Sequence, residues 1–66
     1  MDQYDVFNDL MGVLAYCIND NPVDMGLKIT DFDDANDLGI DNPNPSIIVS
    51  DSKGNQCQII IKKLEE

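Results

Sequence analysis

Carboxylates are the chemistry this chain carries in quantity: thirteen Asp plus Glu stand against four Lys in 66 residues, with neither Arg nor His, for a formal net charge of −9. Without His, the commonest general base near neutral pH is missing. What remains is carboxylates, Cys17, Cys57, Tyr4, Tyr16 and the four lysines. A chain this short makes one domain, residues 1–66, with little room for a cleft that would desolvate a substrate and shift a pKa. The expectation is a protein that is not an enzyme and has no catalytic residues.

Metal chemistry fares no better. Asp31, Asp33, Asp34, Asn36, Asp37, Asp41 and Asn42 crowd one segment, but calcium-loop spacing fails. Counting from Asp31, the fifth position is Ala35, the sixth is Asn36 in place of Gly, and the twelfth is Asn42 in place of Glu. Two thiols without a histidine cannot complete a structural zinc site. Cys17 and Cys57 fall on the helix and sheet faces that are expected to meet in the core, where they read as reduced packing residues, with a bond between them as the alternative. No metal and no cofactor are expected.

The charge restricts partners more than it names one. Lys28, Lys53, Lys62 and Lys63 cannot build the cationic surface that neutralises phosphates, so direct nucleic-acid binding is not expected. No apolar run approaches the ~20 residues that span a bilayer. Asp2, Asp5 and Asp9 stand where a secretory signal would place Lys or Arg. The expectation is a soluble, cytoplasmic protein without membrane contact.

The acid is also unevenly placed. Residues 1–52 hold eleven Asp and one Lys, whereas residues 53–66 hold three Lys and two Glu. Asp2, Asp5 and Asp9 fall at i, i+3 and i+7 along a helical stripe opposite Phe7, Leu10 and Leu14. Asp33 and Asp37, at i and i+4, would stack on a second helix, with Asp34 beside them. Like charges at these spacings destabilise a helix, and no Lys is interleaved to relieve them. Solubility alone, or a salt-adapted composition, would give this pattern. The sharper expectation is a docking surface for a basic partner, made of Asp2, Asp5, Asp9, Asp33, Asp34 and Asp37, with Asp20, Asp24 and Asp41 secondary.

These side chains need elements to position them. Phe7, Leu10, Met11, Leu14, Cys17 and Ile18 keep helical spacing within a segment from about Tyr4 to Asn19. Asp2 is its N-cap, with Asp5 three residues on, and Asn21-Pro22 its stop. Gly26 to Thr30 reads as a short strand. Thr30 or Asp31 then caps a helix of about two turns ended by Gly39. Asn42-Pro43-Asn44-Pro45 is a stiff extended loop. The fold class is α+β: one main amphipathic helix packed on a small sheet, in the order helix, strand, helix, strand, strand, with a C-terminal antiparallel hairpin. The spacing allows a parallel crossover between the first two strands through the second helix.

The hairpin joins Ile47–Ser50 to Gln56–Lys62 across Asp51-Ser52-Lys53-Gly54-Asn55. A three-residue loop with Gly54 left-handed pairs Val49 with Cys57 and Ile47 with Ile59. That register makes Ile47, Val49, Cys57, Ile59 and Ile61 the core face and turns Ile48, Ser50, Gln56, Gln58, Ile60 and Lys62 outward. Ile48 and Ile60 would then form an apolar docking or homodimer patch unless the loop Leu38–Pro45 covers them.

In functional class the chain resembles the small acidic proteins by which phage and mobile elements inhibit glycosylases, restriction enzymes and CRISPR nucleases through imitation of DNA charge. The Ile47–Ile61 hairpin with its Asp-Ser-Lys-Gly-Asn turn resembles one found in small glycosylase inhibitors. The resemblance implies a DNA-mimic inhibitor of a basic, nucleic-acid-handling protein, acting in the cytoplasm of the host cell. It assigns no role residue by residue. The alternative is a small structural or regulatory module that associates with another protein, or with a second copy, through Ile48 and Ile60.

Overall fold

A computed structural model describes residues 1–19 and 26–64. The Asn21-Pro22 stop, Asp20 and Asp24 lie outside the described residues. Helix α1 runs from Gln3 to Asn19, followed by strands β1 (Ile29–Asp34), β2 (Ser46–Asp51) and β3 (Gln56–Ile60). They form one antiparallel sheet in the order β1-β2-β3. The architecture is α+β with a C-terminal hairpin, as the sequence pattern predicts.

The helix begins where its capping chemistry places it. Asp2 Oδ1 accepts the backbone N–H of Tyr4 at 2.9 Å and of Asp5 at 3.0 Å. Asp5 Oδ2 returns the favour by accepting the Asp2 N–H at 3.0 Å. This is a reciprocal box with Asp at the third helical position, and it satisfies three donors that the helix itself cannot.

The hairpin has the expected register, with Ile47 opposite Ile59 and Val49 opposite Cys57. Its cause is visible in the turn. Asp51 Oδ1 accepts the N–H groups of Lys53 and Asn55, both at 2.9 Å, and Asp51 Oδ2 accepts Asn55 Nδ2 at 3.0 Å. Gly54 takes φ +87°, a left-handed conformation that other residues rarely adopt.

The segment between residues 26 and 39 departs from expectation. The strand is not Gly26–Thr30 but Ile29–Asp34, so it runs through the positions assigned to the second helix. What remains of that helix is a single 3-10 turn, Ala35–Leu38. Its cap is Asp34, whose Oδ1 accepts the Asn36 N–H at 2.9 Å, rather than Thr30 or Asp31. Gly39 ends it with φ +77°, as predicted. A two-turn helix cannot sustain itself, whereas pairing Phe32 with Val49 and Asp34 with Ile47 satisfies the same backbone within the sheet. The β1–β2 connection is antiparallel, not a parallel crossover, because no helix long enough to make one forms between residues 35 and 45.

The core sits on the middle strand. Ile47 is fully buried, and Ile48, Val49, Ala35 and Ser46 are buried with it. Phe32, Asp34 and Ile59 are half-buried on the Ile47–Val49 face, whereas Asp31, Asp33, Gln56 and Gln58 on the opposite face are exposed. That alternation places α1 over the Ile47 face, and α1 contacts β1 and β2. It presents Phe7, Leu10, Met11, Leu14, Cys17 and Ile18 half-buried.

Two side-chain placements are corrected by this geometry. Cys57 is exposed, not in the core, while Cys17 is half-buried, and both are free thiols. The helix lies over β1 and β2, so β3 is the bare edge and Cys57 has no roof. Ile48 is not an exposed anchor: it retains 6% of its surface. It occupies the central strand with Asp33 and Gln58 as lateral neighbours, and the 3-10 turn also lies against β2. Ile60, on the edge strand, is 48% exposed as expected.

Candidate functional site

The carboxylate stripe of α1 is the strongest constellation. Asp2, Asp5 and Asp9 are all exposed, because they occupy the face opposite Phe7, Leu10 and Leu14. Val13 and Tyr16 continue that face and are exposed too. The helix therefore shows acid along its N-terminal half and an apolar and aromatic surface along its C-terminal half. The sequence pattern does not mark Val13 or Tyr16 as part of a docking surface. Their signal was an apolar residue out of phase with Leu10 and Leu14.

The first turn is electrostatically settled. Asp2 has its carboxyl held below the ordinary value, chiefly by the Asp5 N–H, with a further contribution from the Tyr4 N–H and from attraction to the N-terminal amine and Lys63. Lys63 reaches this end because the chain beyond β3 stays on the ladder, with the Ile61 N–H donating to the Pro45 carbonyl at 3.0 Å. The loop is tied to the helix by Gln3 Nε2, which donates to Asn44 Oδ1 at 3.3 Å. Asn42 Oδ1 accepts the Asn44 N–H at 2.9 Å, which sets the loop's bend.

The remaining predicted acids do not join the stripe. Asp33 belongs to β1 and is exposed on the sheet face away from α1, together with Asp31. Asp37 is exposed in the 3-10 turn, so the expected Asp33–Asp37 stack does not exist. It depended on a helix that the sheet replaced. Asp34 points to the helix side and is half-buried, and Asp41 is exposed. The structure thus brings together Asp2, Asp5 and Asp9, sets Asp34 near the first turn of α1, and separates Asp33 and Asp37 from them.

Among the described residues no group of three carboxylates or thiols converges as a metal site. No helix there is long and apolar enough to cross a membrane. Among the described residues the fold and its surface define a class, a small acidic α+β domain with one α-helix on an open-edged sheet. No protein-family model matches the chain, and neither the curated proteins nor the solved structures contain a match to it.

Proposed function

We propose that the protein is a non-enzymatic acidic binding module that docks the α1 stripe on a basic, nucleic-acid-handling protein and occludes its nucleic-acid groove. A phage or mobile-element inhibitor of a glycosylase, restriction enzyme or CRISPR nuclease is the type it fits. The observation that carries the reading is the alignment of Asp2, Asp5 and Asp9 on one exposed helix face. Successive carboxylates there are ~4.5 to 6 Å apart along the axis, and a Lys/Arg groove is built to hold regularly spaced anions. Val13 and Tyr16 on the same face supply apolar contact beside the charge.

The test is affinity capture from a host lysate at two salt concentrations, followed by direct binding with Asp5→Asn/Asp9→Asn. Asn at position 5 keeps an oxygen for the Asp2 N–H, so the cap survives. Salt should release a basic nuclease, glycosylase or polymerase, and the double variant should associate more slowly. Retention indifferent to salt would refute the proposal.

A second reading rests on a separate observation. β3 is an edge strand whose residues are almost all exposed, and Ile60 is half open to solvent. An uncovered edge of this kind supports pairing with another chain or a second copy. Ile60→Lys should then abolish association while the Asp variants do little.

A further inference from the structure

A concavity of about 310 Å³ opens between the first turn of α1 and the loop that precedes β2. Tyr4 and Phe7 form one wall, Pro43 and Pro45 lie in its lining, and Asp34 and Asn42 contribute the polar groups. Tyr4 and Phe7 are three residues apart on a helix, so their rings are neighbours on one side. The volume is at the small end of ligand pockets, which suits a single side chain rather than a cofactor.

Its chemistry selects a cation. Among the described residues the lining contains one carboxylate and no lysine. Asp34 Oδ1 is held by the Asn36 N–H at 2.9 Å, which fixes the carboxylate and leaves Oδ2 as an acceptor. The N–H groups of Tyr4 and Asp5, which could otherwise attract an anion, are taken by Asp2. Aromatic faces attract a planar guanidinium and a carboxylate binds it by charge-assisted hydrogen bonds. The walls are held in place, because Gln3 ties the loop to the helix and Pro45 is bonded to Ile61.

We infer that this concavity is a seat for one arginine side chain of a basic partner, with the guanidinium against Tyr4 and Phe7 and its charge met by Asp34. The inference rests on the docking function proposed above and deepens it: the stripe steers the partner, and the concavity anchors one residue of it. Arginine fits better than lysine because its flat cation stacks on rings while donating in a fork.

The experiment is an amide NMR titration of the whole chain with the peptide acetyl-Gly-Arg-Gly-amide, using the citrulline peptide as its neutral match. Saturable shifts should centre on Tyr4, Phe7, Asn36 and Asn44, and the citrulline peptide should not reproduce them. Tyr4→Leu should weaken binding by ~2- to 5-fold. Asp34→Asn keeps an oxygen for the Asn36 N–H, so the turn stays capped, and it should weaken binding several-fold. Asp33→Asn removes the same charge from the opposite sheet face and should leave the affinity unchanged. Equal losses from Asp33→Asn and Asp34→Asn, or equal shifts from citrulline, would overturn the arginine seat. So would shifts confined to the Asp5–Asp9 stripe, which would leave the docking function standing. Salt-indifferent capture from the lysate would remove the docking function, whatever the peptide does.

Discussion

Shaving one carbon from each of three isoleucines tests where the core lies. Ile47 has no exposed surface, Ile48 retains 6% and Ile60 retains 48%. Ile→Val at a buried site loses a transfer contribution near 0.8 kcal/mol and leaves a small cavity, for about 0.5 to 1.5 kcal/mol in total. For a chain of this length the whole stability is about 3 to 10 kcal/mol, at ~0.05 to 0.15 per residue. Each kcal/mol moves the melting temperature of such a domain by ~4 to 8 °C. Ile47→Val and Ile48→Val should therefore each lower it by about 2 to 12 °C, and Ile60→Val by at most half as much. Thermal unfolding followed by far-UV circular dichroism measures this directly. Urea midpoints at unchanged slope confirm that stability alone has changed. Ile48→Val is the discriminating variant: were Ile48 an outward-facing docking residue, it would behave like Ile60→Val. Loss at Ile60 equal to that at Ile47 would refute the half-open position of Ile60 on the edge strand.

Further outcomes follow from the turn, the carboxylates and the thiols. Gly54→Ala should destabilise the hairpin by roughly 1 kcal/mol through backbone conformation alone, since φ is +87° and no atom lies within 4 Å of the added carbon. Equal melting temperatures would refute the left-handed turn. Asp51 is held below the ordinary carboxylate value, first by the Asn55 side chain and then by backbone N–H groups. A lowered folded value means stability present above the unfolded value of ~4 and lost as pH falls through the folded one. Asp51→Asn should therefore show a shallower decline in melting temperature between about pH 5 and pH 2; an unchanged profile would count against the turn network. Cys57 should alkylate with iodoacetamide faster than Cys17, since it is exposed and Cys17 is half-buried. Equal rates would place the helix differently.

How much of this was legible beforehand follows from how local each determinant is. The start of α1 with its Asp2 cap, the Gly39 terminator and the Gly54 register are set by residues within a few positions of one another. Short-range chemistry decides them, and the sequence displays it. The identity of residues 31–34 is decided by distant β2, which offers Val49 and Ile47 as partners. Nothing local distinguishes an Asp that caps a helix from an Asp alternating along a strand. The burial of Ile48 and the exposure of Cys57 both follow from lateral position, centre against edge, which hydrophobic alternation does not encode. The concavity joins residues 4–7 to 34–46 and could not be read from either segment. Its signal was limited to a stiff Asn-Pro-Asn-Pro loop and to Phe7, which reads as ordinary core.

The same misplaced helix also changes what the negative charge can do. With two acidic helices, six carboxylates would form one field; with Asp33 turned to the far face of the sheet, the surface divides. The molecule measures 38 × 24 × 19 Å, and the screening length at physiological ionic strength is only ~8 Å. A partner seated on α1 therefore feels Asp2, Asp5 and Asp9 directly, whereas Asp31 and Asp33 act from the far face of the sheet, across a thickness that exceeds one screening length. At ~0.01 M salt that length grows to ~30 Å and the two faces act together. Asp33→Asn should thus leave the association rate unchanged at 0.15 M salt, where Asp5→Asn lowers it, and the two variants should converge as salt is removed. Equal effects at both concentrations would mean that the partner reads net charge, and that the arrangement of carboxylates on α1 has no part in recognition.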